Sequence, residues 1–279
     1  VATDVGDKDF YAKWFQLKTP VLDATDNCYE ISDVEELYGF AQIVNFDNYR
    51  EETISQPHLC GKLTKDIVVN NNVLKRDGTL DESGAGRFMP WPRVEGSLAL
   101  FDGQGHKISG LFITDGSGFF DQVLSSDREK QTVIRNLTID DTYSKGAGIV
   151  GSANLPLTLE NCHFKGYIAG AMGGLVAFSD TTLVIKNSSH RGNMSAKGGG
   201  YMGGLVGSSY TDLVLVQNLH EGSMKLYADT VTHDIDGTLY INERTISVGG
   251  LVGHLLGNAL IVNNYSVSDI EGPSSGMVG

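Results

Sequence analysis

The chain has 279 residues, with 21 Lys and Arg against 34 Asp and Glu, a net charge of −13 at pH 7. That charge argues against non-specific nucleic-acid binding and against adsorption to anionic membranes, and no apolar run approaches the ~18 to 20 residues of a spanning helix. Thirty-five glycines beside six prolines, with no collagen triplet, point to an all-β chain rich in turns and large enough for a sizeable core.

Val1-Ala2-Thr3-Asp4 has neither the basic head nor the apolar body of a signal peptide, so the sequence is expected to be a mature fragment or a piece excised from a longer chain. Cys28 and Cys60 flank one segment and are expected to staple it in an oxidising compartment, against the alternative of two buried thiols. Between them, Asp33 to Phe46 reads as an amphipathic helix. Val34, Leu37, Tyr38, Ala41 and Val44 share one face, and Ser32 or Asp33 is the N-cap. The region 27–95 is therefore expected to be an N-terminal cap, laid over the apolar end of a repetitive region that begins at residue 96. Further on, Asp102-Gly103-Gln104-Gly105-His106 places an acid near a base, but its glycines mark a tight turn, which accounts for the whole motif.

From residue 96 the chain repeats. An apolar triplet, a variable residue and an asparagine recur, ending at Asn136, Asn161, Asn187, Asn218 and Asn264. Each is trailed by a glycine-rich strand: Gly148–Gly151, Gly174–Ala177, Gly204–Gly207, Gly250–Gly253 and Gly276–Gly279. The strand starts are 26, 30, 46 and 26 residues apart, too short for a βαβ unit and suited to one turn of a parallel β-solenoid. Equivalent residues would then stack at ~4.8 Å, and the five asparagines are expected to form a buried amide ladder. Asn136, Asn187, Asn193 and Asn264 also head glycosylation sequons, discounted because three of them are ladder positions. Cys162 lies inside a repeat and reads as a small buried hydrophobe.

Three sets of residues in 96–279 carry candidate chemistry. Asp140 and Asp141 are the best carboxylate pair, and with Lys165 and Arg191 they would line an active site on an outer face; a solvated turn is the simpler reading. Aligned on Gly166, Gly192 and Gly222, the repeats put Phe164, His190 and His220 in one inward column. Stacked His190 and His220 would bind a metal or titrate near neutrality, unless the alignment slips, because Asn187 to Gly192 is five residues and Asn218 to Gly222 is four. The stretch 223–247 lengthens one repeat; Asp236-Gly237 marks a hairpin, and Tyr227 and Tyr240 would offer a sugar an aromatic platform, against the alternative of a hairpin that merely covers the sheet.

The repeated Gly-Gly-Leu-Val-Gly strands, with Phe101-Asp102-Gly103-Gln104-Gly105-His106 and the Cys28-Tyr29-Glu30-Ile31 leader, resemble the GLUG-motif regions of large bacterial secreted and cell-surface proteins. Asp9-Phe10-Tyr11-Ala12-Lys13-Trp14 resembles the last strand of an internalin-type B repeat, which makes 1–26 the tail of a preceding domain and its linker. The resemblance implies a right-handed parallel β-helix with an N-terminal helical cap, cut from a longer polypeptide with further domains and more repeats, at the bacterial surface or outside the cell. Its implied role is non-catalytic: adhesion, binding of polysaccharide or cell-surface glycan, or a stalk. No cofactor is required, though calcium on acidic turns is compatible. The alternative is a polysaccharide lyase or glycoside hydrolase.

Overall fold

The computed structural model describes residues 16–47, 59–124, 130–197, 200–227, 229–235, 238–244 and 246–272. The expected B-repeat strand at 9–14, the Asp236-Gly237 turn and the strand at 276–279 lie outside the described residues. The described residues are mostly β, with one helix, arranged as a 17-stranded sheet, a six-stranded sheet and a separate two-stranded hairpin.

Stacking of successive repeats in parallel register organises the two large sheets. Leu157–Gly173 pairs with Thr132–Ala147 on one side and with Leu183–Lys186, Ser189–Arg191 and Met194–Lys197 on the other. Leu213–Val216 and Leu219–Tyr227 continue the stack. The glycine-rich segments feed the second sheet, where Phe120–Val123, Val150–Ala153, Val176–Ser179, Val206–Ser209 and Val252–Leu255 succeed one another, all parallel. Alternation along each strand sends one residue in two inward: Leu183 and Ile185 are fully buried, Leu213 and Leu215 sit on them in register, and Val184 and Val214 face out.

The N-terminal region belongs to the same stack. Cys28–Ile31, Cys60–Leu63, Leu100–Asp102 and Thr132–Ala147 are successive parallel neighbours, and the Cys28–Cys60 disulfide joins the first two. The helix spans Val34–Asp47. Asp33 caps it by accepting the Glu36 N–H at 2.9 Å, and Glu36 reaches back to accept the Ser32 N–H and hydroxyl at 2.8 Å. Its buried face carries Leu37, Tyr38, Ala41 and Val44 as expected, plus Phe40, whose ring fills the space that a Cβ at Gly61 would occupy. Val21–Asp23 pairs antiparallel with Cys28–Ile31, so the outermost edge of the large sheet runs against the parallel order and is short.

The asparagine ladder needs correcting by one residue. Asn136, Asn161 and Asn187 occupy left-handed corners with φ between 50° and 53°, and the equivalent corners are Gln217 and Asn263, not Asn218 and Asn264. Asn161 and Asn187 are exposed rather than buried, although Asn161 Nδ2 donates to Asn136 Oδ1 at 3.1 Å. The buried ladder is the next column inward. The Cys162 N–H donates to Ser188 Oγ, the Ser188 N–H to Asn218 Oδ1, and the Asn218 N–H to Asn264 Oδ1, at 2.9–3.0 Å.

Candidate functional site

The two histidines stand in one inward column, because Phe164 pairs with His190 and His190 with His220 in register. The five-against-four discrepancy disappears once Gln217 replaces Asn218 as the corner: 187 to 192 and 217 to 222 are both five residues. The rings lie 5.0 Å apart at 7°, fully buried, with the two Nδ1 atoms at 3.0 Å and both Nε2 atoms without a hydrogen-bond partner. One Nδ1 must donate to the other, so the two rings cannot both be protonated at Nδ1 and at least one is neutral. Burial lowers both histidines, His220 to about 4 and His190 well below its usual range. No group of three metal-ligating side chains occurs among the described residues. The rings instead explain the glycines: a Cβ at Gly148, Gly174 or Gly204 would come within 2.3–2.7 Å of Phe164, His190 or His220, each sixteen residues later.

The four residues of the catalytic alternative divide between different tasks. The pairing jumps from Phe164↔Ile139 to Gly166↔Thr142, so Asp140 and Asp141 together stand opposite Lys165 as a β-bulge. Asp141, at φ 47°, accepts the N–H groups of Val73 and Leu74 at 3.1 and 3.0 Å, which occupies both its oxygens and ties down the start of the loop 73–89. Asp140 accepts the Asp141 N–H at 2.8 Å and lies 3.8 Å from Lys165. Arg191 stacks on Lys165 and pairs with Glu221 at 3.5 Å. They form a stacked surface column in which Asp141 is a structural clamp rather than a solvated turn residue. The Asp102 motif is a turn, as its glycines suggest: Asp102 accepts from Arg135, Asn136 and the Gln104 N–H.

The outer face after the corner at 141 collects chemistry that no local sequence pattern marks. Tyr143 pairs with Tyr167 and Lys145 with Ala169; Ala169 pairs with Ser195; Ser195 pairs with Lys225 and Lys197 with Tyr227. The inward partners Ile168, Met194 and Met224 are buried, so these residues point away from the core; Lys145, Lys197 and Tyr227 reach the surface, whereas Tyr143 and Ser195 are covered and buried. Tyr227 is 49% exposed, with the Lys225 ammonium 5.8 Å from its ring centre. At the Lys145 end, Ser117, Lys145, Gly146, Ala169, Gly170 and Met172 line an open cavity of about 310 Å³. After Tyr227 the chain makes the expected hairpin, Asp229–Ile235 against Thr238–Arg244, with Tyr240 opposite His233.

No family model matches the chain. Over 127 residues, 43% of its length, it is 27% identical to the protein named "Probable autotransporter YfaL" of Escherichia coli (strain K12), of which it covers 10%. The chain thus spans about a tenth of the length of this relative. A solved structure described as a "putative immunoglobulin A1 protease" from Bacteroides ovatus aligns over 91% of this chain and 84% of that one, with a TM-score of 0.46 and 16% identity.

Proposed function

We propose that the chain is a right-handed parallel β-helix module of a bacterial secreted or surface-displayed protein, of the GLUG type, and that it binds glycan without cleaving it. The in-register parallel stacking of repeats from Cys28–Ile31 to Tyr265–Glu271 supports the architecture. A disulfide between Cys28 and Cys60 suits an oxidising compartment, and the similarity to an autotransporter agrees with it. The observation that carries the binding role is the outer face ending at Tyr227. It is an exposed ring flanked by lysines on a rigid sheet, able to take the apolar face of a sugar while the lysines take its polar edge.

The test is incubation of the protein with plant, microbial and host polysaccharides, read both as retention and as new reducing or unsaturated ends. Retention without new ends, weakened about tenfold by Tyr227→Ala, is the expected result, since a stacked aromatic contributes about 1 kcal/mol or more. New ends that vanish in Asp140→Ala or Lys165→Ala would overturn the non-catalytic reading. Absence of retention across the panel would overturn the binding role itself.

A further inference from the structure

We infer that this outer face selects acidic glycans, with Lys145 and Lys197 as the groups that hold their carboxylates; the inference rests on the glycan-binding reading above. In a chain with 34 acidic side chains, the outward positions from Tyr143 to Tyr227 on this face contain none, but they do contain Lys145, Lys197 and Lys225. Lys225 is paired with Glu271 at 3.2 Å. Lys145 and Lys197 are exposed and make no ion pair among the described residues.

Three of the nearby carboxylates are already engaged, whereas Asp115, two residues before the cavity-lining Ser117, is exposed. Asp121, which is 4% exposed, accepts from Arg93 and from the Ser117 N–H. Asp77 and Asp81, on the loop whose Asp77 carbonyl meets Asn193, accept from Thr79 and Ser83. Among the described residues, Lys145 therefore borders the cavity without an ion pair.

The cavity gives the lysine a place to work. Gly170 on its lining has φ 69°, and a Cβ added there would meet nothing within 4 Å, so this side of the cavity is open. Ser117 supplies a hydroxyl, Met172 an exposed apolar edge, and Tyr167 stands in the adjacent outward column with its hydroxyl on Ser195 at 2.9 Å. A pyranose carrying a carboxylate matches this set: an apolar face, several hydroxyls and one anion. Lys145 and Lys197 stand two layers apart and two residues apart along the strands, roughly 12 Å at these spacings, so a chain crossing the stack obliquely would meet both. The net charge of −13 repels a polyanion only at long range. At about 0.15 M salt that repulsion is screened beyond ~8 Å, and the local lysines decide the contact.

The experiment measures binding of oligogalacturonate and of neutral cello-oligosaccharide, at about 0.15 M salt, to the wild type, to Lys145→Gln/Lys197→Gln and to Tyr227→Ala. All three substituted residues are exposed, and thermal melting checks each fold. The expected result is tighter binding of the acidic ligand, lost at least about tenfold in the double lysine variant and weakened by added salt. Equal binding of the acidic ligand by wild type and lysine variant, or binding of the neutral ligand alone, would overturn the inference and leave the glycan-binding reading standing. Binding of neither ligand would overturn the inference as well, and the polysaccharide panel then decides the broader reading by itself.

Discussion

At the scale of single residues, the stacked histidines show how a repeat stores a pH dependence in its core. His190 and His220 occupy the column that begins with Phe164, so the fold treats imidazole as an aromatic spacer and keeps it neutral. In the unfolded chain each titrates near 6.5, whereas burial brings folded His220 down to about 4 and holds folded His190 well below its usual range. Above pH 6.5 both states are neutral and no penalty arises. As the pH falls from 6.5 towards 4 the unfolded chain binds protons that the folded chain refuses, so stability drops. A shift from 6.5 to about 4 is worth up to about 3 kcal/mol at one histidine. Urea unfolding of the wild type should therefore show a midpoint that declines between pH 7 and pH 4.5. A His190→Phe/His220→Phe variant, which extends the Phe164 column, should be markedly flatter over that window. An equal slope in both proteins would place the acid sensitivity elsewhere.

At the scale of elements, the bulge at Asp140-Asp141 joins two parts of the chain almost 70 residues apart. Two backbone N–H groups of the loop, from Val73 and Leu74, depend on one carboxylate. Hydrogen bonds to a charged group are worth about 1.5–3 kcal/mol each, reduced when water replaces the lost partner. Asp141→Ala should thus cost about 2 kcal/mol in denaturant unfolding and speed proteolysis between Leu74 and Arg87. Asp140→Ala, which frees a neighbouring N–H and an exposed ion pair with Lys165 at 3.8 Å, should cost much less.

The period, the capped helix, the glycine strands and the hairpin are legible in the sequence because each is written in local spacing. The ladder slips by one residue because Gln217 does the corner's work without being asparagine, and the apolar run 213–216 offers two equally good alignments. The lysine face is hidden for a related reason. The bulge inserts one residue after Ile139, so the offset from asparagine to lysine differs between repeats and only the pairing reveals the column. The link between each glycine and a ring sixteen residues later is a contact across the stack, which no local pattern encodes.

At the scale of the whole molecule, stacked layers couple mainly to their neighbours, so a perturbation at one end should stay there. The Cys28–Cys60 disulfide supplies the perturbation, because it ties the first two parallel strands across a separation of 32 residues and lies far along the stack from Leu183–Lys186. Closing a loop of that length is worth about 3–4 kcal/mol in the chain-entropy account. Cys162 does not confuse the experiment: it is fully buried, and burial pushes its thiol up to about 12. Mild reduction and alkylation of the folded protein should therefore label two thiols, not three. Amide exchange should then accelerate in the helix Val34–Asp47 and in Cys28–Ile31 and Cys60–Leu63, while Leu183–Lys186 and Leu213–Val216 keep their protection. Loss of protection throughout would mean instead that all layers unfold as one cooperative unit, with the capped end setting the stability of the binding face from Thr132–Ala147 to its far end at Tyr227.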